Sequence, residues 1–492
     1  MNSVKSASTI SVAGLPADVQ RLSATIAEQL ARIEPDAELF LVGGIVRDLL
    51  LEAPLGLRDL DFATSALPAV TSCALNAAGG KVYRIGEKFG TIGGIFGKLQ
   101  VEVTTYRAEA YQSGSRKPAV AFGRNLTDDL ARRDFTINAL ALEPRTGRIT
   151  DPFGGLADLS NGLVRAVGDP GARFKEDPLR LLRAVRFASR LWFDLDPQTA
   201  AAISAAAPAL ATISRERVRD ELEKLLLGPS PSRGIRLLCE LGLADFSLPD
   251  VPKLRGMANE LGAGHHKDVF SHTLQVLDRT PPRLALRWAA LLHDIAKPTT
   301  KHVENGKVSF HGHDHKGERM ARRILGELHE PSELIERVGR LVGLHLRANA
   351  YAGVWTDSAV RRFVLEVGDE LIEDLLALSR ADVTTGRVER RQAIAHSVAE
   401  LEKRILELRA QEDIARIASP LDGSALMQLF ERGPGPWIQP IKDHLRELVI
   451  EGELHADDRQ QAMDIARRVY TELQLDRVPE RRGGKAAPLA RE

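Results

Sequence analysis

Cysteine is almost absent from this 492-residue chain: Cys73 and Cys239 stand far apart, without CxxC spacing. That excludes a disulfide framework and a thiolate zinc site, and it fits a reducing compartment. Long apolar runs are missing too. No stretch approaches the ~18 continuous apolar residues of a membrane span, and the opening MNSVKSASTISVAGLPADV has no apolar h-region, so a cytoplasmic protein without a membrane partner is expected. Net charge is also lacking, because 67 Lys+Arg balance 67 Asp+Glu; a nucleic-acid partner would have to be gripped by a local basic surface. No repeat of solenoid length occurs. What is present, 43% hydrophobic and 27% charged residues, is the balance of a folded globular chain. Its length implies three or four domains.

The first third alternates short Gly-punctuated strands (ELFLVGG, LRDLDF, KVYRIG, GGIFG, QVEVTTYR, GRITD) with helical pieces such as IVRDLLL and LPAVTSCALNAAG. This predicts an α/β head with a small mixed or antiparallel sheet. From about Asp158 nearly every segment has helical periodicity, so the remainder is expected to be all-helical. The predicted units are 1–156 (head), 157–256 (helical neck), 257–387 (a histidine-rich helical unit), 388–475 (helical tail) and a disordered basic end, 476–492. A long helix from Val388 to Ile417 carries Ile394, Val398, Leu401, Ile405 and Leu408 at heptad spacing, over too few heptads for a coiled coil.

In LRDLDF, Asp59 and Asp61 occupy positions i and i+2 of a strand and so share a face, about 7 Å apart. Two carboxylates so placed repel unless a cation lies between them, and hard oxygen ligands favour Mg²⁺ with substrate phosphates completing its shell. Glu102, between Val101 and Val103 on another strand-like run, offers a third acid, as a two-metal scheme requires. By itself DxD is as well explained by a solvated strand face. The Gly43–Gly44 turn ahead of a helix start adds a place for phosphate oxygens, with Arg47 one turn on. In EDPLRLLRAVRF, Asp177 is the expected N-cap, Pro178 the first helical residue, and Arg180 an i,i+3 partner of Asp177. Arg183, Arg186 and Arg190 follow on one basic face. Farther on, His272, His293–Asp294, His315, His345 and Asp382 appear in order, a set of imidazoles and carboxylates suited to a divalent metal.

LVGGIVRDLLL with LRDLDFATSA, LARRDFTINALAL, DPFGGLADL, EDPLRLLRAVRF and ISRERVRDELEKLL resemble, in order, the motifs of the class II nucleotidyltransferases, the bacterial tRNA nucleotidyltransferase (CCA-adding) and poly(A) polymerase family. The resemblance implies a nucleotidyltransferase palm in the head. It makes Asp59 and Asp61 the Mg²⁺ ligands, with Glu102 as the third catalytic acid. Gly43, Gly44 and Arg47 fall on the triphosphate side, Arg133, Asp134 and Asn138 in the ribose and phosphate motif, and Asp177, Arg180 and Arg183 on the nucleotide-selecting helix. There a carboxylate accepts from the exocyclic amine of C or A, and a guanidinium donates to the neighbouring ring nitrogen; U and G offer the wrong groups. A bland alternative pairs Arg132 and Arg133 with Asp128 and Asp129. Residues 265–385 resemble the HD phosphohydrolase superfamily, which implies a Mg²⁺, Mn²⁺ or Ni²⁺ site at His272, His293, Asp294 and Asp382. His315 and His345 would be ligands or phosphate contacts, with His265, His266, His302, His311 and His313 outside the pattern. The implied activity is addition of CCA to tRNA 3′ ends from CTP and ATP. A poly(A) polymerase, a CC- or A-adding specialist, and an HD phosphohydrolase with an RNA-binding head are the alternatives.

Overall fold

The computed structural model describes residues 14–53, 59–110, 119–123, 125–257, 268–304, 307–351, 355–383, 388–411 and 419–475. The leader, the loop around YQSGSRKP, His265, His266 and the basic end lie outside these residues.

The head is a seven-stranded mixed sheet. Its strands are β1 (Leu39–Val42), β2 (Asp59–Thr64), β3 (Lys81–Tyr83), β4 (Thr91–Phe96) and β5 (Leu99–Thr105), joined after a separate hairpin of β6 (Arg107–Ala110) and β7 (Ala119–Phe122) by β8 (Ala141–Leu142) and β9 (Ile149–Thr150). The order is β3-β4-β5-β2-β1-β8-β9. Only β2 and β5 run parallel; the other pairs are antiparallel. Alternation decides what each face does. Leu60, Phe62, Val101 and Val103 are buried in one core with Val19, Ile26 and Leu30 of helix Ala17–Ile33 and Ala74 and Leu75 of helix Pro68–Ala77. On the opposite face, Phe40, Val42, Ala63 and Tyr106 pack with Leu126 and Leu130 of helix Leu126–Ala131. That small cluster covers the Ala63 end of β2. Asp61 and Glu102 are left exposed beside it.

Among the described residues the rest is helical, as expected, with two exceptions. A two-residue parallel pair joins Leu163–Val164 to Asp194–Leu195 in the neck, and a hairpin joins His302–Glu304 to Lys307–Ser309 in the histidine-rich unit. One continuous apolar core links head, neck and histidine-rich unit and includes Val398, Leu401, Ile405 and Leu408 of helix Val388–Gln411. A separate core around Trp437, Ile441, Leu445 and Ile465 forms within residues 421–475. Among the described residues no helix is long and apolar enough to cross a membrane.

Candidate functional site

β2 and β5 are paired so that Asp61 stands opposite Glu102, and Asp59 opposite Gln100. Asp61 and Glu102 are thus cross-strand neighbours, both exposed. The side chain of Asp59 lies outside the described residues. Beyond β1, Gly43 has φ +75°, and a Cβ there would lie 3.9 Å from Asp61 Oδ2 and 3.4 Å from an Arg133 guanidinium nitrogen. The positive φ is what calls for glycine here, while the two charged groups lie at ordinary contact distance from that point.

From Asp61 and Gly43 a cavity of about 470 Å³ opens towards the neck, lined by eight arginines against three aspartates, Asp61, Asp134 and Asp177. Asp48, Asp129, Glu176 and Glu221 behind the wall pair with most of these arginines, so the wall offers fixed guanidinium N–H donors suited to phosphate oxygens. One buried hydrogen-bonded chain fixes its floor. Arg47 donates to Asp48 (2.8 Å) and to Asn138 (2.8 Å); Asn138 donates to Asp134 (3.0 Å), which also accepts from Arg183 at 2.6 and 2.8 Å. Burial lowers the Arg47 pKa in spite of Asp48. Burial would raise the Asp134 carboxyl, but Arg183, Asn138 and the Phe135 N–H outweigh it and hold it below its ordinary value. The guanidinium groups of Arg186, Arg47 and Arg183 lie 4.4, 5.1 and 5.4 Å from the centre of the Phe187 ring, so one aromatic face helps to space three like charges.

The selecting helix runs Leu179–Leu191 and differs from expectation at its start. Pro178 is the N-cap, and Asp177 closes the preceding helix, Pro170–Glu176, while still accepting from the Leu179 N–H at 3.2 Å. Proline keeps Asp177 extended, which separates the two helices at this point. The expected Asp177–Arg180 pair is replaced by other partners. Arg217, from helix Arg215–Leu226, donates to both Asp177 oxygens at 2.9 and 3.2 Å. Arg180 donates to Glu176 (2.8 Å) and to the carbonyls of Arg132 (2.8 Å) and Arg173 (3.1 Å). Each is thereby held at the cavity wall with hydrogen-bonding capacity to spare. Arg132 and Arg133 both bind Asp129, as the bland alternative has it, yet both line the cavity, and the buried Nε of Arg133 has no partner.

A second cluster lies in the histidine-rich unit. Nε2 of His272 is 3.1 Å from Nε2 of His293, 3.0 Å from Asp382 Oδ1 and 3.4 Å from Asp294 Oδ2. The other Asp294 oxygen is 3.5 Å from His313 Nε2, so two groups able to hold a metal, His272–His293–Asp294 and Asp294–His313–His345, share one carboxylate. His293, His313 and His345 each contact, through Nδ1, the carbonyl three residues earlier at 2.7 to 2.9 Å. That contact assigns the proton to Nδ1 and leaves the Nε2 lone pairs facing inward, the arrangement of a metal-ligating imidazole. Burial would lower the His293 pKa, but Asp294 and Asp382 reverse this and push it up to about 9. Burial beside His293 pushes His345 down to about 4. The donors thus call for one local positive charge, as a cation would supply. His315 is exposed, and His313 takes the place expected for it. Gly317, Ala321 and Leu325 of helix His313–Glu327 are buried, and this stripe extended back one turn reaches His313. His302 and His311 are exposed.

The sequence matches the families described as "Poly A polymerase head domain" over residues 39–165, "Probable RNA and SrmB-binding site of polymerase A" over 192–254 and "HD domain" over 255–387. The A-adding tRNA nucleotidyltransferase of Deinococcus radiodurans is 36% identical, over 84% of this chain and 92% of that one. The CCA-adding enzyme of Geobacillus thermodenitrificans is 33% identical, over 85% and 90%. Among solved structures, the Bacillus stearothermophilus CCA-adding enzyme in complex with CTP superposes with a TM-score of 0.69 at 28% identity, covering 94% of this chain and 100% of that one. The Thermotoga maritima CCA-adding enzyme complexed with tRNA shares the fold, with a TM-score of 0.58 at 20% identity over 94% and 97%. The chain belongs to the tRNA nucleotidyltransferase and poly(A) polymerase family.

Proposed function

We propose that the protein adds the 3′-terminal CCA to tRNA in the cytoplasm, using CTP and ATP and no nucleic-acid template. The observation that carries this reading is the placement of Asp61 opposite Glu102 at the mouth of an arginine-lined cavity that ends on Asp177 and Arg180. Asp59, Asp61 and Glu102 would hold Mg²⁺, which supplies charge for deprotonating the terminal ribose hydroxyl and for neutralising the pyrophosphate that leaves. Gly43 and Gly44 let the triphosphate approach the backbone; Arg47 and Arg183, through Asn138 and Asp134, fix the cavity floor on which ribose and phosphates rest. Arg133 donates to the phosphates. Asp177 accepts from the exocyclic amine of C or A, and Arg180 donates to the adjacent ring nitrogen. In the HD unit, His272, His293, Asp294 and Asp382, extended by His313 and His345, would hold Mg²⁺, Mn²⁺ or Ni²⁺, which supplies Lewis-acid charge for phosphoester hydrolysis.

Incubating tRNA that lacks its 3′ end with CTP, with ATP, and with both tests the main reading. Two nucleotides with CTP and three with both are expected. Because an A-adding enzyme stands among the relatives at 36% identity, tRNA already ending in CC is the companion substrate. Activity confined to that RNA and ATP would make the protein an A-adding specialist, and long A tails would make it a poly(A) polymerase. Hydrolysis of 2′,3′-cyclic AMP and p-nitrophenyl phosphate with each metal tests the HD site.

A further inference from the structure

Arg107 is not among the residues that line the nucleotide cavity, and among the described residues its guanidinium makes no salt bridge within 4 Å. It opens β6 directly after the acid-bearing strand. Its Nη2 donates to the Thr91 hydroxyl at 3.1 Å, which lies 2.9 Å from the Thr104 hydroxyl. Thr104 is two residues beyond Glu102 on β5, on the same face and about 7 Å along it. The strand order β1-β2-β5-β4 fixes the lateral sequence as Gly43, Asp61, Glu102, then Thr91 with Arg107. Arg107 thus reaches the β4 side of the acids, while its main-chain N–H meets Asp129, the partner of the cavity arginines Arg132 and Arg133.

Its Nε is buried and has no hydrogen-bond partner. The nearby acid, Asp129, accepts from the Arg107 main-chain N–H but gives its carboxylate charge to Arg132 and Arg133. Burial, together with Arg132 and Arg133 acting on Arg107 as like charges, outweighs the attraction of Asp129. The cross-strand neighbour of Arg107 is Phe122, 43% exposed and packed against Gly90; Phe89, the residue before Gly90, is 60% exposed. Guanidinium and exposed rings together are the means by which single-stranded nucleic acid is held, one for the backbone and the other for the bases.

In-line displacement needs the attacking and leaving oxygens on opposite sides of phosphorus. With the triphosphate on the Gly43 side, the attacking strand must arrive from the Arg107 side. We propose that Arg107 binds a backbone phosphate of the RNA strand whose 3′ end enters the acid site, and so positions the primer opposite the incoming nucleotide. This rests on the reading of the head as a nucleotidyltransferase site.

The test is a cycle between protein and RNA. A minihelix ending in CC is prepared with each of its last three linkages, in turn, as an uncharged methylphosphonate, and its dissociation constant is measured by fluorescence anisotropy. For the wild type, one linkage costs about tenfold in affinity, the scale of a charge-assisted hydrogen bond. Arg107→Gln has already lost that factor and loses no more at that linkage, while Arg107→Lys keeps part of it, and KM for ATP stays within about twofold of wild type. Equal losses in wild type and Arg107→Gln at every linkage overturn the proposal, as does a raised KM for ATP with unchanged RNA affinity. A wild type indifferent to all three substitutions overturns it without any variant. If the wild type binds the minihelix but adds nothing to it, the nucleotidyltransferase reading fails first and takes this inference with it.

Discussion

In the head, Asp61 and Glu102 stand exposed on neighbouring strands with solvent in front of them. In the HD unit, His293, Asp294 and His345 are none of them more than 2% exposed, and the imidazoles present their Nε2 atoms to a shared interior point. Both places gather metal-ligating groups, but one is half a shell and the other nearly a whole one. The difference lies in who completes the coordination. Two carboxylates at a cavity mouth leave room for phosphate oxygens, so a cation there comes and goes with the nucleotide. Buried, pre-oriented imidazoles hold a cation as part of the folded protein, and its binding energy becomes folding energy.

The largest expected effect separates the two. Asp61→Asn should lower nucleotide addition at least about 10³-fold, the scale for losing a preorganised charge in the transition state, with metal content by mass spectrometry unchanged. His293→Ala should do the reverse: metal content falls, and addition stays within about twofold because the sites share no partner. A chelator should lower the melting temperature of wild type and Asp61→Asn alike while leaving His293→Ala nearly unmoved. A His293→Ala enzyme that loses addition tenfold would break the comparison and show that the HD unit holds the head in its working form.

The sequence made the open site easier to read than the closed one. Strand alternation alone puts Glu102 between two buried valines, and motif order ties it to Asp59 and Asp61, so the acid face was legible before any coordinates. Helix boundaries were less so. In HGHDH three histidines alternate, and which of them turns inward depends on where helix His313–Glu327 begins. Nothing local marks that start, since Gly312 sits in the left-handed region and no side chain caps the helix. Partners distant in sequence were illegible for a plainer reason. Arg217 is 40 residues from Asp177 and looks like any arginine on a charged helix until the neck folds. This sets a middle-sized prediction: Asp177→Ala should cut the preference for CTP over UTP about 10- to 100-fold, the range for one base-edge contact pair. Arg217→Gln should cut it by less, because the Leu179 N–H still holds the carboxylate.

The smallest effect concerns a buried acid that has none of the HD site's cations. Asp294 is held ionised, its burial outweighed by His293, Lys297 and His272, and its carboxyl stays well below the ordinary range. Glu330, 6% exposed in the turn after helix His313–Glu327, has both oxygens shielded and without a well-aligned hydrogen bond. It faces Glu223 and Arg219 of helix Arg215–Leu226 and the fully buried Trp288, which precedes His293 on helix Leu284–Leu292. Burial and Glu223 push its carboxyl up to about 7, with Arg219 opposing. A raised folded value means that the native protein binds the extra proton between about 4.5 and 7, so stability falls as pH rises through that window. Glu330→Gln keeps the shape of the protonated acid and loses the titration. Its melting temperature should exceed that of wild type by about 2–4 °C at pH 8, the shift for a change near 1 kcal/mol in a domain of this size, and match it at pH 5. Parallel melting curves across that range would mean that Glu330 ionises freely, and that Arg219 serves it as well as His293, Lys297 and His272 serve Asp294.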